Sequence, residues 1–354
     1  MRDRASFRVT ASVVGPVWRA NRIAVRLHPR TMTVTLLLAL LTLGLTAGLL
    51  TMGRFEISLS QIAEVLFSGG GEERDRRIVL GLRLPRATTG FFVGAALGVS
   101  GAVFQSVSRN PLGSPDVIGF MTGSATGAIA WIILVGQQPL GIAAAAVCGG
   151  LAAAVIVYLL SLSGGRIASD RLVLIGIGVG ATLGALNGLL LSRGQLDSAV
   201  LANLWLAGSL NARTWDHVVP VMMAVIVLTP LAMALAPRLA IMEMGDDLAR
   251  QLGIPVDRTR LFAVATGVIL AALATGAAGP IAFIALAAPQ LAKRLSLSRG
   301  VPIATAALMG GSLVLVADLV TQALPLHATL PIGRMTGLIG GVYFLWLLSR
   351  SRTL

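Results

Sequence analysis

The sequence predicts an all-α membrane protein, a polytopic bundle of ten transmembrane helices with short cytoplasmic helices between two of them. Apolar residues make up 55% of the chain and charged residues only 12%, whereas a soluble domain has about 25% charged residues. A bilayer core about 30 Å thick needs roughly 20 apolar residues per helix, and a helix satisfies its own backbone hydrogen bonds there. The predicted spans are residues 33–52, 87–107, 117–136, 139–161, 171–192, 217–237, 260–278, 281–294, 302–324 and 334–349.

The chain divides into a basic cytoplasmic N-terminal tail, residues 1–32, and a single transmembrane domain, residues 33–350. The first apolar run is longer than the core of a signal peptide, so we expect a retained span. With the N-terminus inside, the cytoplasmic segments hold roughly two thirds of the Lys and Arg residues, which follows the positive-inside rule. We therefore expect a multi-pass protein of the inner or plasma membrane with both termini cytoplasmic, and a tail that lies on anionic lipid.

Several elements depart from a plain span. Glycines at small-residue spacing in the second span, such as Gly94 and Gly98, favour close helix packing. The segment 196–207 is apolar but too short to span, and we expect an interfacial helix. The eighth span is short and contains Pro280 and Pro289, so we expect it to be broken or partly re-entrant.

The polar loop Gly245–Arg260 is the most informative connector. Two acidic residues suit a helix N-terminus, two leucines four residues apart share one face, and a glycine and a proline suit a sharp turn into a second short helix. The loop is either a knob that another protein grips or an ordinary solvated connector. The residues that we single out are Gly245, Asp246, Asp247, Leu248, Arg250, Leu252, Gly253 and Pro255.

Three polar features lie near span ends or inside a span. Asn110-Pro111-Leu112 ends the second span, either as a constriction or as a plain helix stop. Arg83 and Arg86 lie outside against the charge bias, so they either dock an acidic partner or snorkel to lipid phosphates. Asp318 lies within the ninth span, where an acid is costly, and either contacts substrate, carries protons or is a structural hydrogen-bond partner.

Several functions are excluded by composition. Lys293 is the single lysine, so the chain has no Walker A motif, and another subunit must supply any ATP hydrolysis. One cysteine and three scattered histidines predict no metal site, and no separate basic domain exists to bind nucleic acid. Paired acids and metal-ligand motifs are also missing, which argues against an enzyme.

Ordered motifs cover about residues 35–350. They are Leu82-Arg83-Leu84-Pro85-Arg86, Gly94–Gly101, Gln105, Asn110-Pro111-Leu112, Ser114-Pro115-Asp116, Gly119, Gly279–Leu286, Ala317-Asp318, Leu330-Pro331-Ile332-Gly333 and Gly340–Leu348. In these motifs the chain resembles the FecCD-type permease family, the membrane subunits of ABC importers for ferric siderophores, haem and cobalamin. The resemblance implies ten spans, a second permease subunit, a cytoplasmic ABC ATPase dimer and an external substrate-binding protein.

The resemblance also assigns roles to residues. It implies that the loop Gly245–Arg260 forms the coupling helices that dock on the ATPase, and that Arg83 and Arg86 pair with glutamates of the binding protein. Arg334 is either a third docking arginine or a snorkelling one. The implied gate residues, with the two intramembrane polar residues, are Asn110, Leu112, Ser169, Asp170, Gln105 and Asp318.

Two departures from the family pattern bear on function. Asp170 stands where the family often has a small hydroxyl residue. Gln290 stands where many members, including cobalamin permeases, have histidine, and Pro-Gln looks more like siderophore-type members. We therefore predict a ferric siderophore permease without a cofactor of its own, ATP and magnesium being bound by the partner ATPase. The alternatives are haem or cobalamin import, or a proton-coupled secondary transporter that uses Asp318.

Overall fold

The computed structural model describes residues 17–20, 23–26, 29–53, 55–116, 119–163, 166–167, 169–298, 300–324 and 330–350. The first helices are Pro29–Thr51 (α1), Leu59–Ala63 (α2), Glu73–Ile78 (α3), Leu84–Ser108 (α4), Phe120–Leu134 (α5), Pro139–Ser161 (α6) and Ser169–Arg193 (α7). The remaining helices are Leu196–Leu206 (α8), Trp215–Met242 (α9), Asp246–Gln251 (α10), Val256–Ala278 (α11), Ile284–Ser296 (α12), Ile303–Ala323 (α13) and Ile332–Arg350 (α14).

Two short hairpins accompany the helices. Strands Val17–Ala20 (β1) and Ile23–Arg26 (β2) pair antiparallel within the predicted N-terminal tail. Strands Leu162–Ser163 (β3) and Arg166–Ile167 (β4) pair in the same way between α6 and α7. Both hairpins are too short to change the predicted class, and the all-α membrane fold is confirmed.

Each of the ten predicted spans coincides with a helix. Seven helical stretches are long and apolar enough to cross a membrane, while α5 and α8 are shorter apolar helices. The number of ten crossings therefore stays a prediction. The stretches that qualify are Pro29–Thr51, Glu73–Ser108, Pro139–Ser161, Arg171–Arg193, Trp215–Met242, Val256–Ala278 and Ile303–Ala323.

Helix α4 is the central helix of the bundle. In the helical stretch Glu73–Ser108, which contains α4, 83% of the most apolar 18-residue segment is buried. The corresponding share is 22% in α1 and 17% in α7. A Cβ atom at Gly94 or Gly98 would collide with the backbone of α13, at Gly310 and Ala306 respectively. The predicted close packing of the glycine ridge is confirmed, since dispersion contacts at such short range require small residues.

The eighth predicted span is a short helix without a break, since α12 continues through Pro289, and a partly re-entrant path stays a prediction. Helix α11 ends at Ala278, and α12 begins only at Ile284. Between them Gly279 and Phe283 both have positive φ angles, of 73° and 68°. The backbone N–H of Ser209 donates to the carbonyl of Ala278 at 2.8 Å, which satisfies one of the free carbonyls at the end of α11.

One part of the fold has no counterpart in the predicted elements. Residues 55–83 form α2, α3 and two π-helical segments, Glu64–Ser68 and Val79–Arg83. Their apolar residues, among them Ile57, Ile62 and Val79, are buried together with Leu50 at the end of α1. This small core fixes the chain that leads from α1 into the central helix.

Candidate functional site

The loop between α9 and α11 contains one short helix rather than two. Gly245 has a φ angle of 123° and Gly253 a φ angle of 80°, so two glycines bracket α10 in conformations that other residues rarely adopt. Pro255 then opens α11 directly, and the predicted second short helix is its first turn. The expectation of two separate short helices is therefore wrong, because the helix that Pro255 opens continues into the seventh predicted span.

Helix α10 presents apolar side chains to its surroundings. Leu248 is 38% exposed and Leu252 is 61% exposed. The neighbouring residue Ala249 is completely buried. The predicted common face of the two leucines thus remains open for contact with another protein.

Asp246 connects this loop to two helices of the bundle. Both of its carboxylate oxygens accept from Nη2 of Arg260 in α11 at 2.8 Å. Nη1 of Arg109, at the end of α4, lies 4.0 Å from the same carboxylate. Because Arg260 is 1% exposed, water screens this ion pair weakly, and Asp246 links α10 directly to α11.

The predicted gate segment is a tight turn at the end of α4. The backbone of Arg109 adopts the left-handed conformation, with a φ angle of 51°. The backbone N–H of Leu112 donates to Oδ1 of Asn110 at 2.9 Å. Nε2 of Gln290 in α12 donates to the carbonyl of Pro111 at 2.7 Å. This hydrogen bond holds the predicted gate segment, Asn110-Pro111-Leu112, to α12. Gln290 therefore has a structural role, whereas the sequence analysis noted it only as a departure from the family pattern.

The other predicted gate and intramembrane residues are placed as follows. Ser169 and Asp170 begin α7, but their side chains lie outside the described part of the chain. Nε2 of Gln105 donates to the carbonyl of Leu286 at 3.0 Å and so links α4 to α12. Gln105 is thus a helix-to-helix contact.

Two of the three predicted docking arginines have internal hydrogen bonds. Nη1 of Arg83 donates to the carbonyls of Leu50 and Thr51 at 2.6 and 3.1 Å, and Nη2 donates to Phe55. These bonds cap the last turn of α1, whose carbonyls have no helical partner. Arg334 is exposed in the first turn of α14 and has no ion pair among the described residues.

Arg86 forms an ion pair with Asp318. Nη2 lies 2.7 Å from Oδ1 and Nε lies 3.1 Å from Oδ2. Nη1 donates to Asn211 at 2.8 Å, while Nε2 of Gln322 donates to Asp318 at 3.0 Å. Asp318 is 1% exposed, and this bidentate geometry favours the structural alternative for it.

A cavity of about 240 Å³ adjoins this ion pair and is lined in part by Arg83, Arg86 and Asp318. A larger cavity of about 460 Å³ lies at the opposite end of α4. Within the described ranges, His, Cys, Asp and Glu side chains form no group of three that can hold a metal ion. Charged and polar side chains therefore line a cavity at each end of α4.

Asp116, in the loop between α4 and α5, is an unusual acid. Burial raises the pKa of its carboxyl group to about 7, because desolvation disfavours the charged form. Its Oδ1 atom has no hydrogen-bond partner among the residues that the structure describes. The Ser-Pro-Asp motif therefore places a titratable group beside the predicted gate segment.

Comparisons with known proteins agree with this architecture. Residues 36–350 match the FecCD transport family. The chain is 43% identical to the ferric enterobactin transport system permease protein FepG of Escherichia coli (strain K12), over 90% of this chain and 96% of that protein. It is 35% identical to the probable siderophore transport system permease protein YfhA of Bacillus subtilis (strain 168), over 88% and 94%.

A solved structure shares the fold. It is a metal-chelate-type ABC transporter in an inward-facing conformation, with a TM-score of 0.78 and 25% identity. The match covers 90% of this chain and 99% of that chain.

Proposed function

We propose, since the chain belongs to the FecCD transport family, that it is the permease subunit of an ABC importer that takes up ferric siderophores. The observation that carries this proposal is the 43% identity with a ferric enterobactin permease along nearly the whole chain. A second siderophore permease, at 35% identity, supports the same substrate class. The chain itself performs no bond chemistry in this proposal.

The proposed import cycle begins at the outer face, where a loaded binding protein docks. Arg83, Arg86 and Arg334 are the proposed docking cations. The first two donate hydrogen bonds within the chain, so Arg334 offers the more accessible charge. Exposed ion pairs contribute only about 0–1 kcal/mol each, and apolar contact must supply the rest of the affinity.

The proposed energy input comes from the cytoplasmic side. An ATPase dimer, which binds ATP and magnesium, docks on the loop around α10 through the exposed face of Leu248 and Leu252. The ion pair between Asp246 and Arg260 then carries its motion into α11. Such coupling requires two states of the bundle with different affinities for the partners.

The proposed assembly contains a second permease subunit, either another copy of this chain or a homologue. It lies in the inner or plasma membrane with both termini cytoplasmic. A proton-coupled mechanism through Asp318 is less well supported, because that carboxylate is bound by Arg86, Gln322 and the helix packing around them. Import driven by a partner ATPase agrees with the family.

The proposal is tested by uptake of radioactive iron into cells with and without this gene. Iron is supplied on a catecholate or a hydroxamate siderophore, with labelled cobalamin and haem as controls. We expect loss of one ferric siderophore signal, with cobalamin and haem uptake unchanged. Loss of cobalamin or haem uptake instead would contradict the substrate class, and uptake that stops when the proton gradient collapses at constant ATP would contradict the ATPase-driven mechanism.

A further inference from the structure

The 460 Å³ cavity at the end of α4 is basic, and we refer to it as the basic cavity. Arg109, Lys293 and Arg294 line it, with Glu243 as the single acid in its wall. Arg109 lies near Asp246 at 4.0 Å, whereas Lys293 and Arg294 have no ion pair within the described ranges. The cavity thus has two cations without an acidic partner from the described chain.

The basic cavity also has a polar floor. Its wall extends from Arg109 to Ala102, seven residues or about 10 Å along the helix axis. Ser106 lines this wall and is 3% exposed, and its hydroxyl group has no hydrogen-bond partner among the described residues. The wall of the basic cavity therefore contains polar as well as charged residues.

An apolar crevice of about 140 Å³ lies on the neighbouring face of α12. Helices α12, α13 and α14 line it with residues that include Phe283, Leu291, Leu313 and Ile339. Leu291 lines this crevice, whereas Gln290 and Arg294 of the same helix line the basic cavity. The basic cavity and the apolar crevice therefore both border α12.

The surface around this helix end has the composition of a membrane interface. Leu295 and Leu297 are 47% and 63% exposed beside the two cations. Nε of Arg30, at the start of α1, donates to the carbonyl of Leu295 at 2.9 Å and brings a further cation to the same place. Exposed leucines among basic residues suit the boundary between lipid head groups and acyl chains.

We propose that the basic cavity binds the phosphate group of an anionic phospholipid, with an acyl chain in the apolar crevice. Arg294 and Lys293 bind the phosphate oxygens, since guanidinium and ammonium groups form strong charge-assisted hydrogen bonds to phosphate. The site does not depend on the identity of the transported substrate.

The proposal is tested by native mass spectrometry of the full-length permease titrated with phosphatidylglycerol, phosphatidylcholine or inorganic phosphate. We expect phosphatidylglycerol to bind at least tenfold more tightly than phosphatidylcholine. The double variant Lys293→Gln, Arg294→Gln should weaken phosphatidylglycerol binding at least tenfold. The matched control Arg238→Gln, an exposed charge that lines neither space, should change it less than twofold.

A second variant tests the crevice without changing charge. Ile339 lines the crevice and is 40% exposed. Ile339→Trp replaces it with a larger aromatic side chain that fills the crevice, and should weaken phosphatidylglycerol binding severalfold. Equal affinity for phosphatidylglycerol and phosphatidylcholine would overturn the proposal. So would a loss of phosphatidylglycerol affinity in Arg238→Gln as large as that in the double variant. Displacement of phosphatidylglycerol by an equimolar concentration of inorganic phosphate would also overturn it, because the site would then recognise a free anion.

Discussion

Removing Arg86 should destabilise the protein rather than merely weaken docking. Asp318 is 1% exposed in the wild-type protein, and in Arg86→Met it retains only Gln322 as a side-chain donor among the described residues. Breaking a buried ion pair by removing one partner costs 3–5 kcal/mol. Because the Arg86 side chain is itself 27% exposed, we expect the lower end, a loss of about 3 kcal/mol in the free energy of unfolding.

The reverse deletion should be milder. In Asp318→Leu the guanidinium group of Arg86 keeps its bond to Asn211 and remains partly accessible to water, so we expect a loss of about 1–2 kcal/mol. The double variant Arg86→Met, Asp318→Leu leaves no buried charge behind. It should lie within about 1 kcal/mol of the wild-type protein, since well-packed apolar replacements of buried ion pairs are often neutral.

The assay is equilibrium unfolding in mixed micelles of increasing SDS content, followed by far-ultraviolet circular dichroism. Arg334→Met serves as the matched control because Arg334 is exposed, and surface substitutions usually change stability by less than about 0.5 kcal/mol. Affinity for the binding protein is measured in parallel. If Arg86→Met were as stable as the control and lost only docking affinity, or if the two single losses simply added in the double variant, the reasoning would be refuted.

Three further predictions concern the coupling loop, the helix packing and the buried acid. Leu248→Asp should leave ATP hydrolysis intact but abolish uptake in an ATPase-driven assay with proteoliposomes, while Met244→Asp, an exposed neighbour outside α10, should retain uptake. Gly98→Val should prevent accumulation of folded protein because its side chain meets the backbone of α13, whereas Gly178→Ala, which faces open space, should accumulate normally in membranes. The pKa of Asp116 is about 7 in the folded state, compared with an ordinary value of 3.8. Between these two pH values the folded state binds more protons than the unfolded state, so the free energy of unfolding should fall as the pH rises. Asp116→Asn should remove this pH dependence in the same SDS titration.

Much of the helical framework could be predicted from the sequence, because apolar length and composition are local properties. The close packing at Gly94 also followed from residue type alone. The sequence predicted that a helix starts after Pro255, but not that this helix continues into the seventh span as α11. The small core of residues 55–83 was missed because its apolar residues are few and scattered.

The roles of the polar residues were less predictable. Arg86 and Asp318 were both singled out, with docking or snorkelling as the alternatives for Arg86, and substrate contact, proton transfer or a structural hydrogen bond as those for Asp318. Their pairing across 232 residues depends on how α4 and α13 are rotated. Arg260 and Gln290, which hold the coupling loop and the gate segment, carried no signal of those contacts in the sequence.

Apolar segment length and the ordered motifs were enough to predict a bundle of apolar helices of the FecCD type, and where most of those helices begin and end. Backbone hydrogen bonding and hydrophobic burial within a span require only nearby residues. Only the packing of the helices shows which charged side chains form ion pairs within the chain, such as Arg86 and Asp246. Others, such as Arg334 and Lys293, have no ion pair among the described residues. That choice depends on helix rotation and depth, which bring together side chains far apart in the chain.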